Sequence, residues 1–145
     1  MAKRLEENYV KKLGDTNLYS YWKGRTFMVF TLMIMTPEDR PPYAELAIHT
    51  INIRSNAQRF YNIGLISTHA MERLLERRND VNLLALLKEE LDFSFLNSFL
   101  EVLDNRYENG GFKDKEFKLN TATGVMCIRI PDGDIVPVFT TWYPQ

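Results

Sequence analysis

The chain has 145 residues, and its nine Phe, seven Tyr and six Met are enough to build the core of one compact domain over residues 1–145. Its 18 basic and 19 acidic residues nearly cancel, so any nucleic acid would have to be bound by a local basic patch. The single cysteine, Cys127, excludes an internal disulfide, and with only two histidines no metal or other cofactor is expected. A charged N-terminus and apolar runs too short for a bilayer predict a cytoplasmic protein that does not enter a membrane.

The N-terminal third of the chain predicts one helix and a hairpin. Residues 3–13 place apolar side chains at helical spacing, and the helix is expected to end at Gly14. Residues 25–36 are rich in β-branched and aromatic side chains, which favour a central strand. Three prolines between residues 37 and 42 predict a turn, after which residues 43–54 return as the second strand.

The rest of the chain predicts helices followed by strands. Residues 66–78 and 81–104 are helical in pattern, with Asp92 or Ser94 able to start a separate helix and residues 109–111 ending the block. Three strands separated by turns at 120–124 and 131–134 are expected over 115–119, 125–130 and 135–143. Pro137 predicts an edge position or a bulge for the last strand. The order of elements predicts an α+β fold, with a largely antiparallel sheet packed against several helices.

The helix over 66–78 is the most informative segment for function. Ser67 or Thr68 is its expected N-cap, and its apolar and charged residues fall on nearly opposite faces. The apolar face carries Ala70, Met71, Leu74 and Leu75, and the charged face carries His69, Glu72, Arg73, Glu76 and Arg77. In the first turn His69 can act as a general acid or base, and Arg73 can hold a phosphate oxygen one turn on. The alternative is a solvated face whose glutamates and arginines pair locally.

The other histidine, His49, shares a face of its predicted strand with Ala47 and Ile51. If His49 and His69 face one cleft, they form an acid–base pair of the kind that cleaves RNA without a metal. The alternative is a hydrogen-bonded histidine in the core or at the sheet edge. Near the C-terminus, Tyr143 or Trp142 could stack on a base, and Arg129 on the neighbouring strand is a further candidate for phosphate contact.

The segment Ser67-Thr-His-Ala-Met-Glu-Arg-Leu-Leu-Glu-Arg77 resembles the helix of small RelE/BrnT-like ribonuclease toxins and related phage and plasmid proteins. The last two strands match more loosely, through a Thr-x-Tyr-like finish. The resemblance implies a toxin-like protein of a phage or mobile element, with His69 and Arg73 as site residues, Arg77 in support and Thr140 or Tyr143 as a distal contributor. Two features depart from that pattern: the chain is slightly acidic, and it adds the N-terminal hairpin and the helical segment 81–107.

The leading hypothesis is a metal-independent endoribonuclease that transfers the RNA phosphodiester onto its own 2′-hydroxyl. His69 would be the base or acid, His49 its partner, and Arg73 with Arg77 or Arg129 would bind the phosphate. The first alternative is a non-enzymatic protein that binds a protein partner, such as a toxin, an antitoxin or a host enzyme. The second is an assembly subunit in which residues 81–107 form an oligomerisation helix.

Overall fold

The computed structural model describes residues 2–78, 82–108, 115–131 and 136–145. In these ranges a seven-stranded sheet is accompanied by four helices and a short 3-10 turn at Gly14–Thr16. In chain order the elements are α1 (Ala2–Leu13), β1 (Asn17–Lys23), β2 (Thr26–Met35), β3 (Tyr43–Asn52), β4 (Gln58–Ile66), α2 (Thr68–Arg78), α3 (Leu83–Glu90), α4 (Phe93–Glu108), β5 (Lys115–Asn120), β6 (Gly124–Ile130) and β7 (Val138–Pro144).

The strands lie in the order β1-β2-β3-β4-β7-β6-β5, and every neighbouring pair is antiparallel except β4 and β7. The parallel pair forms because the chain leaves β4 through three helices and a hairpin before it returns as β7. The predicted α+β fold with a largely antiparallel sheet is therefore confirmed.

One side of the sheet, here called the helical face, packs against the helices that follow β4. Alternate residues of β2 and β3 point into this core, as does Phe139 of β7. Phe139 makes edge-to-face contacts with two rings of α4, at 5.8 Å from Phe95 and 5.2 Å from Phe99. The fully buried members of the core include Phe30, Leu32, Leu46, Ile66, Leu74, Leu86, Leu87, Leu96, Ile128 and Trp142.

The opposite side of the sheet, here called the second face, is covered unevenly. Near β1 and β2 it meets α1, where the Trp22 indole N–H donates to Glu6 Oε2 at 3.2 Å and Phe27 is fully buried. Towards β5 and β6 the side chains of Lys118 and Arg129 are exposed. None of the described helices combines the length and the apolar character needed to cross a bilayer.

A buried carboxylate ties the helices to the β5–β6 turn. Glu90, at the end of α3, is fully buried and accepts hydrogen bonds from the Thr123 N–H at 2.9 Å and the Thr121 hydroxyl at 3.3 Å. Thr121 Oγ1 in turn accepts the Trp142 indole N–H at 2.9 Å. The network fixes the turn between β5 and β6 against α3 and β7, and so helps to hold β7 in its central position.

Several sequence expectations change in the structure. Strands β1 and β4 are absent from the sequence prediction. The helical block over 81–104 divides into two helices at Asp92, one of the two predicted starts, which caps α4 by accepting the Phe95 N–H at 2.9 Å. Pro137 does not mark an edge strand, because β7 lies between β4 and β6 and begins one residue after the proline. The alternative, a bulge, is present in β7 at Thr140, where the register with β6 shifts between Cys127 and Ile128. The expected breaks at 109–111 and within 131–134 fall largely outside the described residues.

Candidate functional site

The start of α2 is held by hydrogen bonds to two other parts of the chain. Ser67 Oγ accepts the Ala70 N–H at 3.1 Å, which confirms Ser67 as the N-cap, and donates to the Thr140 carbonyl at 3.1 Å. The Thr68 hydroxyl donates to the carbonyl of Pro42 in the β2–β3 loop. The first turn of α2, which contains His69, is thereby fixed against both β7 and that loop.

The two faces predicted for α2 are confirmed. Ala70 and Leu74 are each 1% exposed in the core, whereas His69 and Arg77 are exposed. Arg73 makes an exposed ion pair with Glu76, with Nη1 and Oε2 3.4 Å apart. Exposed pairs of this kind are weak, so Arg73 can exchange its partner for another anion.

A cleft of about 340 Å³ opens beside the start of α2. The described residues that line it are Arg40, Pro41, Tyr43, Leu65, Ser67 and Thr68. Arg40 Nη2 donates to the Tyr43 hydroxyl at 3.0 Å, and the Arg40 guanidinium lies 4.8 Å from the centre of the Tyr43 ring. Both contacts orient the guanidinium at the cleft.

The electrostatics of this cleft favour an anion. Its described lining contains a guanidinium and three hydroxyl groups and no carboxylate. Among the described residues, none accepts a hydrogen bond from the backbone N–H groups of Thr68 and His69. These two groups are at the positive end of the helix dipole, where phosphate and carboxylate groups are preferred.

His49 lies away from this cleft, on the second face of the sheet. Its Nε2 is 3.1 Å from the Thr31 hydroxyl, and its ring meets Phe60 edge-on at 4.7 Å between centroids. Burial lowers the pKa of His49 below 6.5, so the imidazole is neutral at pH 7.

The expectation that His49 and His69 share a cleft is wrong. Ile48 belongs to the helical-face core that also contains Ala70 of α2, so the next residue of β3 points to the other side of the sheet. The sheet therefore separates the two imidazoles. His49 matches the alternative of a hydrogen-bonded, partly buried histidine.

The remaining predicted site residues are divided between the surroundings of the cleft and the second face of the sheet. Thr140 approaches the cleft only through its carbonyl, because its hydroxyl donates to the Cys127 carbonyl at 3.2 Å. Arg129 and Tyr143 lie on the second face, far along the sheet from α1. There the Lys118 ammonium lies 5.5 Å from the centre of the Tyr143 ring, and its hydrogen bond with Tyr143 raises the pKa of Lys118.

Sequence reasoning missed Arg40 and Tyr43, the residues that make the cleft basic and give it an oriented hydroxyl. The sequence does contain an indication of both residues. The prolines between Arg40 and Tyr43 make the turn rigid, and a rigid turn holds an arginine close to a neighbouring aromatic ring. By its sequence pattern the turn is only a connection between two strands. Nothing in the local pattern indicated that it meets the first turn of α2, 26 residues further along the chain.

Comparison with known proteins finds no family model, no curated protein and no solved structure that matches this chain.

Proposed function

We propose that this protein binds RNA at the cleft beside α2 and cleaves it by metal-independent transfer of the phosphodiester onto the 2′-hydroxyl. The observation that carries the proposal is the composition of the cleft: the Arg40 guanidinium and the hydroxyls of Tyr43, Ser67 and Thr68 line it, at the start of the helix in which His69 is the next residue. This set can neutralise the charge that develops on the non-bridging phosphate oxygens. The proposed setting is the cytoplasm.

Each group would have a defined part in the reaction. His69 removes the proton from the 2′-hydroxyl, the 2′-oxygen bonds to phosphorus, and the bond from phosphorus to the 5′-oxygen breaks. Arg40 and the N–H groups of α2 hold the non-bridging oxygens. The Tyr43 hydroxyl accepts its hydrogen bond from Arg40, so its own proton is available to the leaving 5′-oxygen.

The arginines outside the cleft would guide the RNA strand. Arg73 and Arg77 follow His69 by one and two turns on the exposed face of α2, where they would contact neighbouring phosphates. Arg129 and Tyr143 lie on the second face, and Thr140 lies between them and the cleft. They would contact RNA only if the RNA strand passes from the cleft around the sheet to that face.

The two histidines give a matched test of the catalytic role. His69→Ala should lower cleavage of bulk RNA in EDTA by about 100-fold or more, the usual contribution of a positioned acid or base. His49→Ala should keep most of the activity, because the sheet separates it from the cleft. Full activity in His69→Ala, with His49→Ala inactive, would overturn the assignment.

The arginines give a second matched pair. Arg40→Ala should weaken both RNA binding and cleavage, whereas Arg59→Ala should not. Arg59 is a suitable control because it is also exposed and also donates to a tyrosine hydroxyl, that of Tyr61 at 3.4 Å, but does not line the cleft. Equal losses in both variants would show that general positive charge, rather than the cleft, binds the RNA.

A second candidate function is non-enzymatic binding of a protein partner, such as a toxin, an antitoxin or a host enzyme. It is favoured by two large apolar side chains exposed on the second face, Met33 at 51% and Phe60 at 58%. In this case wild-type protein would leave RNA intact in every metal condition. Phe60→Ser would then release a partner co-purified from host cells, and His69→Ala would retain it.

A further inference from the structure

The outer edge of β1 presents backbone groups that no other described strand pairs with. In the described part of the chain β1 ends the sheet, and β2 is its neighbour. The Arg25 carbonyl accepts a hydrogen bond from the Ile53 N–H at 2.9 Å. Because backbone groups alternate in direction along a strand, the odd-numbered residues of β2 direct theirs to β3 and the even-numbered residues direct theirs to β1. Thr26, Met28 and Phe30 pair with the odd-numbered residues of β1. The backbone groups of Ser20 and Trp22 therefore point outwards, to where a further strand would lie.

The two edges of the sheet differ in their protection. The other edge strand, β5, carries three charged residues among its six, a composition that discourages pairing with another chain. Strand β1 is uncharged from Asn17 to Trp22, although a bulge follows Asn17. The edge is therefore open for pairing along its central residues, Tyr19 to Trp22.

Exposed aromatic rings lie beside this open edge. Tyr19 and Phe93 are 38% and 45% exposed, and their ring centroids are 4.9 Å apart. Tyr21 joins them, with its ring edge-on to Phe93 at 5.9 Å. Exposed rings next to unpaired backbone groups are the combination that strand addition uses, since the backbone supplies hydrogen bonds and the rings supply apolar contact.

The charges at the two ends of β1 have opposite signs. Asp15 is exposed just before the strand, and Lys23 and Arg25 are exposed at its other end. An antiparallel pair of identical strands brings the acidic end of each copy against the basic end of the other. A parallel pair would bring like charges together.

We infer that the edge of β1 pairs antiparallel with the same strand of a second copy of this chain. The two-fold axis passes at Ser20, so Tyr19 of each copy lies opposite Tyr21 of the other, and the two aromatic clusters become continuous. The same pairing brings Asp15, just before β1 in each copy, towards Lys23 and Arg25 at the far end of β1 in the other copy. The pairing is isologous and joins two sheets into one. It does not depend on RNA binding, because it leaves the cleft beside α2 untouched.

Sedimentation equilibrium tests this pairing. Wild-type protein should have a mass of twice its 17.0 kDa at high micromolar concentration. Ser20→Pro should be monomeric, because proline removes an outward N–H while the hydrogen bonds from β1 to β2 stay intact. Ser20→Ala, the matched control, should remain dimeric. A monomeric wild type, or a dimer that persists in Ser20→Pro, would overturn the inference.

A charge exchange tests the register without depending on how Ser20→Pro folds. Asp15→Arg should weaken the dimer by up to about 25-fold, because the two-fold axis repeats the pair and each exposed pair contributes up to about fivefold. Adding Arg25→Asp should restore the affinity. If the double variant is weaker than either single variant, the two residues do not face each other across the interface.

Discussion

At the residue scale, His49 is the side chain whose charge the fold opposes most clearly. Burial lowers its pKa in the folded protein, whereas in the unfolded chain it protonates near 6.5. The unfolded state therefore binds more protons between these two values. It follows that stability falls as the pH drops through 6.5 towards the lower folded pKa.

His49→Gln should remove this part of the acid sensitivity, because glutamine cannot be protonated. The free energy of unfolding, measured in urea at several pH values on both sides of 6.5, should decline less steeply in the variant than in the wild type. Identical slopes would mean that His49 is not the group responsible.

At the element scale, Ser67 connects the start of α2 to β7. Ser67→Ala removes both the cap to Ala70 N–H and the bond to the Thr140 carbonyl, and should cost about 1–2 kcal/mol in the free energy of unfolding. Ser67→Asp retains a capping oxygen but cannot donate to Thr140, so its loss should be smaller. Thermal unfolding of the two variants would separate the cap from the tether, and equal stability of Ser67→Ala and wild type would contradict this role.

A second prediction at this scale concerns Glu90, which holds the β5–β6 turn. Glu90→Ala removes the carboxylate that accepts from the buried Thr121 hydroxyl and from the Thr123 N–H, and should cost about 2–4 kcal/mol. Glu90→Gln keeps one acceptor oxygen and should cost less. Urea unfolding provides the comparison. Glu101→Ala is the control, because Glu101 is an exposed carboxylate on α4 and its loss should change stability little.

The sequence predicts correctly those elements in which the spacing of apolar residues matches the face that is buried in the fold. α2 was predicted because its apolar residues recur with helical spacing and pack on one core. β1 was missed because it is an edge strand, partly exposed on both sides, so apolar and polar residues do not alternate. β4 was missed because a bulge near Asn62 shifts its alternation and Gly64 interrupts it.

At the scale of the whole molecule, the candidate site depends on which distant segments meet. The sequence assigned His49 to one face of its strand, and the structure agrees, but no local pattern tells which face α2 will cover. Because α2 covers the face opposite His49, the sheet lies between His49 and His69. The same packing brings the Arg40 turn to α2, so the cleft replaces the predicted histidine pair as the candidate centre for phosphate chemistry.

The most direct test of the proposed ribonuclease is the product that the wild-type protein makes from a short RNA in EDTA. Attack by the 2′-hydroxyl predicts a 2′,3′-cyclic phosphate on one fragment and a free 5′-hydroxyl on the other. A matched substrate with a 2′-O-methyl group at each cleaved position should remain intact. Mass spectrometry distinguishes these outcomes: cyclic phosphate from the RNA alone is the expected result, and uncleaved RNA, or cleavage of the methylated substrate, would contradict the proposal.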